Sequence, residues 1–176
     1  LYPEAKELKE KGVWLDTAHG HFNFSFEVAR RAIDQGLGPD ILSTDMTTWG
    51  QKNGVHAVTE EMTRFMALGF SLEEVVTMTT FNPAKAAGQE HRLGSLIVGR
   101  QADISVLDLS VGPWTVYDNQ GLRQGELGSL IPSGSVKDGE SIVVEKAILP
   151  VMAIKRGEVF MAAWGPRPWG WSPDKA

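Results

Sequence analysis

Residues 13–50 read VWLDTAHGHFNFSFEVARRAIDQGLGPDILSTDMTTWG, and the fold turns on two short apolar runs inside them that both end in polar residues. In the first, a period of two places Val13, Leu15, Thr17 and His19 on one face of a strand. The second, PDILSTD at 39–45, puts Ile41, Ser43 and Asp45 on a common face in the same way. Between them, FSFEVARRAIDQG carries Phe26, Ala29 and Ile33 on one helical stripe and Glu27, Arg30, Arg31 and Asp34 on another, with Gly36 as the stop. Strand, amphipathic helix and strand predict a βαβ unit, hence a parallel pair with a right-handed crossover. His19 and Asp45 then stand at neighbouring C-terminal strand tips, where parallel α/β architectures bind ligands.

That placement gives both residues chemistry. A carboxylate at such a tip can ligate a metal and accept a proton, and a neutral imidazole beside it can ligate or hydrogen-bond a substrate carbonyl. Structural readings stay open beside these. Ser43-Thr44-Asp45 also fits a turn that caps the next loop, and a lone His on a strand face also fits a satisfied core residue. His21 either joins the site or faces solvent. Trp49 and His56, in the loop after the second strand, border the expected pocket, whereas His91 in QEHRLG reads as surface.

Outward from this unit, YPEAKELKEKG predicts a short helix ahead of the first strand. AVTEEMTRFMALG places Val58, Met62, Phe65 and Met66 on one helical face, so these methionines, with Met78, read as core and not as ligands. SLEEVVTMTT opens on a capping box from Ser71 to Glu74, and NPAKAAG offers Asn82 as cap, Pro83 at the first helical position and Gly88 as stop. Beyond Glu90 the texture turns to β-strands and glycine turns. We therefore expect residues 1–90 and 91–165 to form separate domains, with 166–176, rich in Pro, Gly and Trp, as a tail.

Composition narrows the classes. The chain has 176 residues, is 42% hydrophobic and carries 22 acidic against 17 basic residues, mixed without a Lys/Arg stripe. Nucleic acid is not an expected partner. No apolar run approaches the roughly 20 residues of a membrane helix, and no membrane association is expected. The absence of cysteine removes disulfides and thiolate metal sites and suits a cytoplasmic enzyme. Because residue 1 is Leu, we expect a fragment, a processed product or a chain of which part is missing.

The order of STD at 43–45, a loop, a helix, SLEEVVTMTTFNPAKAAG at 71–88 and HRLGSLIVGRQADISVLD at 91–108 resembles the C-terminal part of the amidohydrolase superfamily. The likeness runs from about Gly12 to Val159 and favours its dihydroorotase-like and deacetylase branches. It implies a metal-dependent hydrolase of amide or cyclic amide C–N bonds, built on a (β/α)8 TIM barrel with a small β-sandwich. On that reading this chain is an α/β C-terminal fragment holding barrel strands 7 and 8, their helices and part of the sandwich. Family members hold one or two divalent ions, usually zinc, by a His-x-His pair, a carboxylated lysine, two further histidines and an aspartate on the last barrel strand. Of these only the aspartate is present, as Asp45, which the resemblance makes both metal ligand and catalytic proton carrier. LDTAHG at 15–20 is similar to N-acetylglucosamine phosphate deacetylases, whose strand-seven histidine contacts substrate. His19, with His21 beside it, is therefore expected to bind a small-molecule substrate, direct metal ligation by His19 being the lesser option.

A whole barrel takes roughly 200–250 residues, so the remaining ligands are expected on a missing N-terminal portion of the same protein. The fragment alone is expected to be inactive and poorly soluble, and homo-oligomerisation stays open. The alternative is a non-catalytic or degenerate module serving binding or assembly. A flavodoxin-like domain is disfavoured, because AHGHFNF at 18–24 has one glycine and bulky aromatics where a phosphate loop would sit.

Overall fold

The structure, a computed structural model, describes residues 3–20, 23–47, 57–118 and 140–161. Its elements are α1 (Pro3–Glu10), α2 (Phe26–Asp34), α3 (Val58–Ala67), α4 (Leu72–Thr79), α5 (Phe81–Ala86), β1 (Ile104–Tyr117), β2 (Ser141–Lys155) and β3 (Glu158–Met161).

The three strands form one antiparallel sheet in the order β1-β2-β3, with Ile104 opposite Ile154 and Tyr117 opposite Ser141. Two long strands in this register would leave Pro113 and Pro150 without a ladder donor. Both prolines sit where the pairing breaks: Pro113 lies within the register shift between Val111 and Trp114, and Pro150 pairs with Leu107 beside the shift at Val106/Leu107. β2 turns into β3 through Arg156 and Gly157, at φ 52° and 85°. Two successive positive φ values make this a primed hairpin turn, which is why a glycine is placed there.

The expected parallel strand pair is reduced to a single bridge, Asp16 with Ile41. Thr17 N–H donates to Ile41 O (3.1 Å) and Ile41 N–H to Leu15 O (3.0 Å), which preserves the parallel sense. Side chains then take over the ladder. Leu15 N–H donates to Asp40 Oδ2 (2.9 Å), while Thr17 Oγ1 accepts from Ser43 N–H (3.1 Å) and donates to Ser43 O (3.0 Å). Both runs also leave the extended region at their ends, through Ala18 (φ 36°) and Asp45 (φ 46°). In the second run Leu42 is the core residue, in step with the common face expected for Ile41, Ser43 and Asp45, and Ser43 Oγ donates to Asp16 Oδ2 (2.7 Å).

One core joins helices and sheet. Phe24, Phe26, Leu42, Met62, Phe65, Val75 and Met78 pack with Val116, Ala147 and Ile148 of β1 and β2. Phe24 meets Phe26 and Phe65 edge-on, at 5.1 and 6.0 Å between ring centroids. Thr63 Oγ1 of α3 accepts from Ile148 N–H (3.0 Å), fixing that helix on β2. The methionine reading holds for Met62 and Met78, both buried.

The capping box of α4 is present, Glu74 N–H donating to Ser71 Oγ (3.2 Å) and Ser71 N–H to Glu74 Oε2 (2.7 Å). The Asn82 cap is not. Thr80 is the N-cap of α5, and Asn82 inside the helix donates through Nδ2 to Asp40 O (2.7 Å), tying α5 to the run that leads to Asp45. A second long-range tie is the fork of Arg30 on Glu140, at 2.8 and 2.6 Å. Among the described residues no helix is long and apolar enough to cross a membrane.

Candidate functional site

His19 and Asp45 end the two paired runs, and the structure brings them together. Gly20 N–H donates to Thr44 O (2.9 Å), so the chain folds across the end of the second run directly after His19. Gly20 itself has φ 49°, and a Cβ there would lie 3.3 Å from Asp45 Oδ2. Glycine at this position thus permits both the left-handed turn and the approach of the Asp45 carboxylate. Asp45 is exposed and left-handed, a conformation that Asp tolerates better than most residues. His19 is buried, 1% exposed. The two groups therefore share a corner of the molecule but not its depth. His21, Trp49 and His56 lie outside the described residues, and His91 is exposed.

Beneath His19 lies a group of charges absent from the pattern reading. Glu60, Glu61 and Arg64 of α3 are all buried, at 5%, 0% and 0% exposure. Arg64 donates to Glu60 Oε1 (2.7 Å) and Glu61 Oε2 (3.1 Å), and its Nε donates to Tyr117 O (2.9 Å). Its guanidinium also lies over the Phe24 ring, 5.3 Å from the centroid. Glu61 Oε2 is 3.4 Å from His19 Nδ1, which also meets Ser43 O at 3.3 Å. TEEMTR at 59–64 gave one readable signal, the i,i+4 spacing of Glu60 and Arg64. That spacing is usually a solvated pair.

Burial, then the Arg64 charge, lowers the His19 pKa to about 4, against smaller opposing effects of Ser43 O, Glu60 and Asp45. Burial raises Glu61 to about 7, partly offset by Arg64. At neutral pH the imidazole is uncharged, so its 3.4 Å approach to Glu61 is not an ion pair, and Ser43 O is the hydrogen-bond partner of Nδ1. Linkage gives the two groups opposite pH signatures. A depressed His19 makes the native state gain stability as pH rises from about 4 toward the unfolded value near 6.5; a raised Glu61 makes it lose stability from about 4.5 up through about 7. In melting curves of the full-length protein, the advantage of wild type over His19→Gln should grow from pH 4 to 6.5. Its advantage over Glu61→Gln should shrink from pH 4.5 to 7. Parallel, pH-independent offsets would remove the assigned burial.

A divalent ion needs several donors. Among the described residues no three His, Asp or Glu side chains gather to hold one. The donor chemistry of an exposed carboxylate next to an imidazole fits one corner of such a site, and the other corners would have to come from outside the described residues.

The model of the amidohydrolase family matches residues 5–144. A deacetylase of Brucella anthropi is 32% identical over 123 residues, covering 69% of this chain and 30% of that protein. Among solved structures, an adenine deaminase superposes with a TM-score of 0.75 at 23% identity, over 92% of this chain and 39% of its own. A dihydroorotase does so with a TM-score of 0.68 at 27% identity, over 89% and 38%. The chain belongs to the amidohydrolase family. It spans about a third of the length of the relatives it matches.

Proposed function

We propose that this chain is the C-terminal portion of a metal-dependent hydrolase that cleaves the C–N bond of an amide or cyclic amide in a small molecule. In this reading residues 13–19 and 39–45 are strands 7 and 8 of a (β/α)8 barrel, and 91–165 belong to a small β-sandwich. The parallel bridge of Asp16 and Ile41, with α2 as its crossover, supports the first assignment. Exposed apolar side chains such as Val98, Val111, Val143 and Met161 support a further portion of the same protein packed against this one. A cytoplasmic location is part of the proposal.

The observation that carries it is the Asp45 carboxylate, held by a left-handed backbone over Gly20 and beside His19 in a chain of this family. Asp45 would hold a divalent ion, zinc being the proposed metal, together with ligands outside the described residues. Such an ion, when bound, makes a water acidic enough to act as nucleophile near neutral pH. Asp45 takes the proton of the attacking water and returns it to the leaving nitrogen. His19, neutral at working pH, holds the substrate by a hydrogen bond from the floor of the site.

The test is hydrolysis by the full-length protein of a panel of N-acetylated amino acids and cyclic amides, read as acetate release or ring opening. Turnover of at least one member is expected, with loss on chelation and recovery on adding zinc. Turnover indifferent to chelation, or none across the panel, would count against the reading.

A further inference from the structure

We propose that Asn23 is a specificity-determining residue whose side-chain NH2 donates to the carbonyl oxygen of the substrate's amide group, while Asp45 Oδ2 accepts from the N–H of that same group. This rests on the hydrolase reading and narrows its substrate to amides whose N–H and C=O lie on one edge, as a ring enforces. The observation behind it is a notch. After His19 the chain closes into a turn, Asn23 N–H donating to His19 O (3.0 Å), which brings the Asn23 side chain back over Gly20. A Cβ on Gly20 would stand 3.5 Å from Asn23 Nδ2 and 3.3 Å from Asp45 Oδ2. A buried glycine thus forms the base of a gap with an amide NH2 on one wall and a carboxylate on the other.

Both walls face outward, Asn23 and Asp45 being exposed. Among the described residues neither side chain has a hydrogen-bond partner, so donor and acceptor flank the notch without closing on each other. An asparagine that served only its turn would spend its side chain on nearby backbone, and this one does not. An NH2 only donates and an ionised carboxylate only accepts, so a group that satisfies both must present an acceptor and an N–H side by side. An open-chain secondary amide is trans, with N–H and C=O on opposite edges, and its cis form is disfavoured. It meets one wall at a time. A lactam or cyclic imide is held cis by its ring and meets both.

The test uses full-length protein and two readouts. For binding, the Asn23 NH2 signal of 15N-asparagine-labelled protein, assigned by its loss in Asn23→Ala, is followed during titration with δ-valerolactam and with N-methylacetamide, an open-chain trans amide. The lactam should move the signal and bind about tenfold tighter, the scale of one hydrogen bond. Its N-methyl derivative, which lacks the N–H, should lose that advantage. For turnover, the ratio of kcat/KM on dihydrouracil to that on N-acetylglycine should fall about tenfold in Asn23→Ala. It should fall further in Asn23→Asp, whose carboxylate repels a carbonyl oxygen. The melting temperature of Asn23→Ala should match wild type, since no bond within the fold is lost. Equal binding of lactam and open-chain amide, an Asn23 signal that does not move, or an unchanged ratio in both variants would overturn the proposal. A protein that hydrolyses neither substrate yet binds the lactam through Asn23 would support the notch and sink the hydrolase reading. An active one indifferent to Asn23→Ala would do the reverse.

Discussion

Replacing Asp45 by Asn in the full-length protein is expected to lower kcat on the order of 10²–10⁴-fold, the usual worth of a positioned general base, with little change in melting temperature. The two halves of that expectation have separate causes. Asp45 is exposed, so its removal uncovers no buried partner and opens no cavity. Its φ of 46° lies in the left-handed region, which Asn tolerates as well as Asp, so the turn over Gly20 survives. What Asn lacks is a basic oxygen to take a proton from water and a charge to hold a cation. Alanine is a poorer test, since a left-handed Ala adds strain to the chemical loss. Near-normal turnover in Asp45→Asn would remove the catalytic assignment. A large fall in melting temperature would show that Asp45 is mainly a structural cap.

The second large effect is on stability and belongs to Arg64. Arg64→Met, which keeps much of the stem volume, should destabilise the protein by about 3–5 kcal/mol, the range for breaking a buried ion pair by removing one partner. The reason is what remains: Glu60 and Glu61 keep their carboxylates in a buried setting and Tyr117 O loses its donor. Arg64 opposes the upward shift of Glu61, so in its absence Glu61 should stay protonated to higher pH. The penalty should accordingly be larger at pH 8 than at pH 5. Adding Glu61→Gln should recover part of the loss, since the two residues are in contact and their effects are not additive. Denaturant titration of the single and double variants measures this. A loss below about 1 kcal/mol, typical of an exposed pair, would show that water reaches the network.

Much of this fold was legible because the local chemistry was decisive. Ser71 and Glu74 announced a helix start, and Gly88 (φ 65°) announced a stop. The positions of His19 and Asp45 at adjacent ends followed from strand, helix and strand in order. What failed did so for identifiable reasons. Period-two alternation presumes an unbroken extended backbone, and Ala18 and Asp45 break it with positive φ, while Thr17 and Asp40 side chains replace the ladder bonds. Asn82 carries the right residue type for a cap, yet the carbonyl of Asp40 outcompetes the helix end for its side chain. The charges of α3 were hidden because a pattern that assigns one apolar face leaves Glu60, Glu61 and Arg64 to solvent by default. Only the tertiary fold shows that β1, β2 and His19 enclose the other side of that helix.

Whether Asp45 is part of a cation site is read most directly from an anomalous difference map of the full-length protein at the zinc edge. A peak within about 2.0–2.2 Å of an Asp45 carboxylate oxygen, on the side of the turn that carries His19, is the predicted result. Bound metal found only at sites beyond the reach of Asp45 would contradict it.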